Sequence, residues 1–249
     1  MPELDETFKQ LRLWAMKEKM AERNREAIEN KLTYPEFLGL LLQDEVMRRD
    51  TSKFASRVRK ANFKIGKTIE NFDFDFNPKI NKPLIMELAA CDFIKENTPV
   101  LIIGPCGTGK SHLAQAIGFC AVKKGIYVLC FSQTNLIKEL QSARAINNYD
   151  KKLRIIAKVP LLIIDDFGLK PLRTPDDEML HDLIDERYES ASTIITSNLA
   201  LSEWVEPFQN RLLGTATVDR LRHGAYTATL DGDSYRASKY DNEKFLGSS

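Results

Sequence analysis

The sequence predicts an α/β fold: a five-stranded parallel sheet flanked by helices and preceded by a small helical domain. Three observations predict it. Short, largely apolar runs recur at 100–103 (VLII), 126–131 (IYVLCF), 161–164 (LLII) and 193–196 (TIIT), with helical patterns between them. Strands apolar on both faces that alternate with helices belong in a parallel sheet covered on both sides. A glycine-rich stretch, GPCGTGKS at 104–111, stands between the first run and a helical pattern. The residues before Gly66 read as helices alone. The expected organisation is therefore a helical domain over 1–66 and a sheet domain over 67–249, with a last strand over 225–230.

In order along the chain, Leu4, Phe8, Leu11 and Ala15 fall at helical spacing and predict one helix over 3–30. Thr33-Tyr34-Pro35-Glu36 has the form of a capping box and opens a second helix running to about residue 60. Its later half carries a one-signed excess: residues 46–68 hold eight basic residues against the single acid Asp50. Arg49, Lys53, Arg57, Lys60 and Lys64 are spaced to form one stripe, beside an apolar stripe of Met47, Phe54, Val58, Ala61 and Ile65. A row of cations of this kind suits nucleic-acid phosphates. Gly66 opens a linker, 71–78 (NFDFDFNP) reads as a loop, and a helix is expected over 81–97 with Pro83 in its first turn. Residues 138–158 hold a second basic group, Lys138, Arg144, Lys151, Lys152, Arg154 and Lys158, against Glu139 and Asp150.

The stretch 104–111 fits G-x-x-x-x-G-K-[ST] in the strand-to-helix setting where that pattern has a mechanism. Glycines let the backbone curl so that its N–H groups face phosphate oxygens, and the following helix adds its positive end. Gly104, Pro105, Cys106, Gly107, Thr108, Gly109, Lys110, Ser111 and His112 are the candidate nucleotide-binding residues. Lys110 reaches the β- and γ-phosphates of ATP, and Ser111 is a ligand for Mg²⁺. The run at 161–164 ends in Asp165 and Asp166. Asp165 suits Mg²⁺, through water, and Asp166 suits a base that orients the attacking water. The run at 193–196 leads to Asn198, which would lie beside Asp166 if its strand sat between the first and the third.

These motifs together resemble the AAA+ ATPases and, more narrowly, the IstB/DnaC group of insertion-sequence ATP-binding proteins and bacterial helicase loaders. The resemblance is carried by GPCGTGKSHLA (104–114), LLIIDDFG (161–168), TSNL (196–199), VDRLRHGA (218–225) and DSYR (233–236), and covers nearly the whole chain. LLLQDEVMRRD (40–50), RVRKANF (57–63) and TIENFDF (68–74) are more similar to the IstB branch. The resemblance implies ATP held between neighbouring subunits of a homo-oligomer, with an arginine finger lent by one to the next. Arg220 matches its position; Arg211 and Arg222 are the nearby alternatives. About 20 residues follow the last expected strand, so no full helical lid is expected, and Arg236 is the candidate sensor-2 arginine. It further implies a helper of an insertion-sequence transposase that assembles with ATP on double-stranded DNA, through backbone contacts. The alternative is a DnaC-like loader acting on single strands. A small-molecule kinase on the same loop would need a closing lid insertion, and none stands out.

Cys91, Cys106, Cys120 and Cys130 form no C-x-x-C pair and no metal-ligand spacing with the histidines. The start, MPELDETFKQ, has no apolar targeting region, and no apolar run approaches the roughly 20 residues that span a bilayer. A cytoplasmic protein with no membrane partner is expected.

Overall fold

The computed structural model describes residues 2–64, 66–232 and 234–235. Contacts divide the chain into two compact units, Met1–Ser56 and Arg57–Ser249. The first holds α1 (Pro2–Gln10), α2 (Trp14–Glu29) and the beginning of α3 (Tyr34–Ala61). The division falls inside α3, upstream of residue 66.

The single helix expected over 3–30 is two helices. Arg12 turns left-handed at φ 54°. Its N–H bonds to the Lys9 carbonyl at 3.1 Å, and Leu13 N–H reaches back to Phe8 at 2.9 Å. That paired closure usually ends a helix on glycine. Here no glycine marks it, so the apolar spacing runs through the break unannounced. Phe8, Met16 and Leu41 form the unit's small core. Buried Glu45 accepts from the Ala15 N–H at 2.8 Å and from Arg49 Nε at 2.9 Å. Burial pushes its carboxyl up, but these partners outweigh that and hold it below the usual value. At the start of α3 the Glu36 carboxylate accepts from the Thr33 N–H and hydroxyl, both at 2.7 Å, the reach-back arm of a capping box.

The second unit is a five-stranded sheet of β1 (Val100–Ile103), β2 (Val128–Ser132), β3 (Leu161–Phe167), β4 (Ser192–Ser197) and β5 (Tyr226–Thr229). Its order is β2-β3-β4-β1-β5 and every pairing is parallel. The connections are α5 (Lys110–Lys123), the pair α6 (Gln133–Ala145) and α7 (Tyr149–Ala157), α8 (Asp176–Arg187) and α9 (Arg211–Arg222). Strands β1, β3 and β4 lie in the middle, which explains their apolar runs: Val100, Leu101, Leu161–Ile164, Ile194 and Ile195 are essentially inaccessible to solvent. β4 separates β1 from β3, the arrangement that Asn198 requires.

α4 (Lys82–Ala89) is shorter than the expected 81–97. Asn81 caps its start by accepting from Leu84 N–H at 3.1 Å. Its end comes where Cys91 turns left-handed at φ 61°, and one 3-10 turn, Asp92–Ile94, follows. Among the described residues no helix is long and apolar enough to cross a membrane.

Candidate nucleotide site

Parallel strands deliver their C-terminal ends to one rim, and in open α/β sheets ligands bind there. The chain leaves β1 at Gly104, whose φ is 147°; a Cβ here would lie 2.1 Å from the Leu230 carbonyl oxygen. Only glycine fits. The loop then curls around one carbonyl: Thr108 Oγ1 and Lys110 Nζ both donate to Pro105 O, at 2.9 and 2.6 Å. Left-handed Gly109 (φ 96°) caps α5, which begins at Lys110. Lys110 is 5% exposed, so its ammonium stays inside the loop rather than in solvent.

On β3, alternation should send neighbouring carboxylates to opposite faces. A register irregularity between Ile164 and Phe167 intervenes, with Asp166 left-handed at φ 58°. Such bulges re-aim side chains beside functional sites, and here Asp165 and Asp166 border the same cavity. Thr196 of β4 fixes both: its hydroxyl donates to Asp165 Oδ1 and accepts from Asp166 N–H at 3.1 Å. The sequence reading passes over Thr196; its signal is a hydroxyl inside a fully buried strand.

The cavity of about 730 Å³ takes in Cys106–His112, Asp165, Asp166 and Asn198. It also takes in residues of 67–80, the stretch expected to be linker and loop. Phe72 packs on Gly109 at the place a Cβ would occupy and meets His112 edge-on, centroids 5.2 Å apart. Phe76 meets Tyr235 at 4.9 Å. His112 Nε2–H donates to Thr68 O at 2.8 Å, and burial holds its pKa below the usual value. The result is an aromatic wall beside a phosphate loop, suited to a nucleobase. The available signal was N-F-D-F-D-F itself: its phenylalanines are half-buried and its aspartates exposed. Ser111 and Asp165 supply the hard oxygen atoms that Mg²⁺ takes.

The family described as IstB-like ATP-binding protein matches residues 6–242. The chain belongs to the IstB-like family. A relative from insertion sequence IS21 of Pseudomonas aeruginosa, named for ATP binding, is 35% identical over 95% of this chain and 89% of its own. Another, from IS5376 of Geobacillus stearothermophilus, is 34% identical over 91% and 90%. Among solved structures, the DnaC helicase loader is similar at 26% identity and TM-score 0.52, over 59% of this chain and 86% of that one. AMPPCP-bound DnaA from Aquifex aeolicus shares the fold at 21% identity and TM-score 0.59, over 75% and 56%. The architecture is that of the AAA+ P-loop ATPases.

In this IstB-like chain, Arg220 stands apart from the cavity. Its Nε pairs with Asp185 at 2.7 Å, its Nη1 donates to Ala216 O at 3.1 Å, and its guanidinium lies 6.0 Å from the Tyr188 ring centre. It borders a separate 260 Å³ hollow with Glu96, Tyr188 and His223. Arg211 and Arg222 are exposed and also absent from the nucleotide cavity. Arg236 lies outside the described residues, as does Ile65.

The basic stripe is broken up. α3 ends at Ala61, so Lys64 leaves the helix and borders the nucleotide cavity. Arg49 is paired with Glu45 at 2.9 Å and Lys53 with Asp50 at 3.5 Å. Arg57 and Lys60 gather at Tyr127 instead. In the 138–158 group Lys152 pairs with Glu139, whereas Lys138, Arg144, Lys151 and Arg154 are exposed on α6 and α7.

Proposed function

We propose that the chain binds and hydrolyses ATP as a helper of insertion-sequence transposition. It assembles with ATP into a homo-oligomer on double-stranded DNA, with little sequence preference, helps select the target and stimulates the transposase. One observation supports this most: the phosphate loop, both aspartates and Asn198 converge on one cavity in a chain of the IstB-like family. The relatives named above come from insertion sequences.

In this reading the loop N–H groups and Lys110 hold the phosphates, and the aromatic wall holds the base. Ser111 and Asp165 would hold Mg²⁺, which neutralises charge on the phosphate oxygens when bound. Asp166 accepts the proton of the attacking water, and Asn198 orients that water. Arg220 completes the site of a neighbouring subunit, where a cation stabilises the transition state. Its distance from its own cavity suits action in trans. Residues 1–66 serve as the DNA- or partner-binding domain, and the protein works in the cytoplasm.

A second reading, a loader that acts on single strands, is favoured by the likeness to the DnaC helicase loader. Binding to random-sequence duplex and to single strands separates the two. It is measured with and without a non-hydrolysable ATP analogue, across a salt series, with particle size followed in parallel. Nucleotide-dependent assembly on duplex that weakens steeply with salt supports the transposition helper. Preference for single strands, or no DNA binding until a helicase is added, supports the loader.

A further inference from the structure

We infer that the sheet unit carries a site for the DNA phosphodiester backbone at its N-terminal edge, where Arg57, Lys60 and Lys124 surround Tyr127. The choice of DNA as the polyanion rests on the function proposed above; the placement rests on geometry and charge.

The Arg57 guanidinium lies 5.2 Å from the Tyr127 ring centre and the Lys60 ammonium 5.8 Å. Lys124 follows α5 and borders one hollow with Gly125, Tyr127 and Asp92, whose carboxylate is paired with Lys95. Its ammonium donates to the Ala90 carbonyl, which brings no counter-charge. None of these three cations forms an ion pair among the described residues. Arg57 Nε is buried and without a hydrogen-bond partner, an unfavourable arrangement the fold tolerates to keep the guanidinium there.

Nearby cations behave differently. Arg49 and Lys53, earlier on the same helix, are neutralised by Glu45 and Asp50. Lys95 and Lys123 are paired with Asp92 and Glu70. Cations gathered without an ion-pair partner repel one another, and an anion relieves that repulsion. Tyr127 is 51% exposed, and tyrosine hydroxyls and basic side chains together are common donors to phosphate oxygens. Tyr127 immediately precedes β2 and Lys124 follows the helix that starts at the phosphate loop. The site therefore lies at the opposite end of the sheet from the nucleotide cavity, and DNA there does not contest it.

The test uses the full chain with a non-hydrolysable ATP analogue and a labelled random-sequence duplex, titrated across a salt series. The double variant Lys60→Gln/Lys124→Gln is expected to bind about tenfold more weakly at physiological salt. Its log–log salt slope should be shallower by about 1 per lost cation. Tyr127→Leu should weaken binding without changing the slope by as much. Lys95→Gln, which removes a cation already paired on the same rim, should leave the slope unchanged. Affinity for the labelled ATP analogue should be unchanged throughout. Normal duplex affinity and slope in the double variant overturn this site while leaving the proposed function standing. A wild-type chain that binds no DNA overturns both. Inorganic phosphate that displaces the duplex at constant ionic strength would make this a small-anion site and overturn the DNA assignment.

Discussion

The two ends of the sheet are built in opposite ways. At the C-terminal end, Lys110, Asp165 and Thr196 are buried and bonded to one another's surroundings, and each side chain has one place to be. At the N-terminal edge, Arg57, Lys60 and Lys124 keep long, partly exposed side chains with no acidic partner. Bond-breaking needs atoms held to within fractions of an ångström. Adhesion to a charged backbone needs charge more than position. The rigid end is thus suited to chemistry and the loose end to holding.

Substitutions can break or sharpen that division. The largest effect is expected from Arg220→Ala, because Arg220 sits at the N-terminal edge yet is proposed to act in chemistry. ATP turnover in the assembled state should fall about 1000-fold, while the isolated subunit binds labelled nucleotide normally. Normal turnover would return Arg220 to the holding end. Lys110→Ala should lower nucleotide affinity about 100-fold and abolish nucleotide-dependent assembly, read by light scattering. Thr196→Val keeps the shape but leaves the Asp166 N–H and the Asp165 carboxylate without their shared partner. Turnover should fall about tenfold with nearly unchanged nucleotide affinity, for a loss of about 1–3 kcal/mol. Phe72→Ala should weaken nucleotide binding about fivefold, the worth of one aromatic contact, and leave the salt dependence of DNA binding alone.

The smallest expected effect is on pH. Burial lowers the pKa of His112 below its unfolded value of 6.5, so between the two values the unfolded chain binds more protons. Stability therefore rises with pH through that window and is lost as pH falls below 6.5. Thermal melts of the wild type and His112→Gln should converge at acid pH if this histidine is responsible.

The sheet was legible because its strands are buried on both faces, which leaves little but Val, Leu and Ile at those positions. The phosphate loop and the paired aspartates were legible because their chemistry admits few residue types. What escaped has one physical cause in several places: non-glycine residues in left-handed conformations. Arg12 and Cys91 end helices without the usual marker, and Asp166 makes a bulge that no strand pattern announces. The aromatic wall escaped for another reason. Residues 71–78 have no regular hydrogen bonding and read as a connector, although their alternation of phenylalanine and acid showed that one side had to be covered. The spacing over 49–64 makes a stripe only while the helix lasts, and α3 ends at Ala61, before Lys64; a charge count includes Asp50 but does not show that Glu45 and Asp50 pair with Arg49 and Lys53.

One contact also bears on where this protein can be cut. Asn77 Nδ2 donates to the carbonyl of Asp231, joining the segment before β1 to the chain that follows β5. The receptacle is therefore sealed by two stretches at opposite ends of the sheet unit's sequence. A fragment beginning at Val100 would retain every strand and the whole phosphate loop, yet lose the wall and one half of that clasp. Trimming to the motif would open one side of the receptacle and remove Ile85, Leu88 and Phe93, which are buried in the sheet unit, so a minimal working fragment must begin upstream of Phe72.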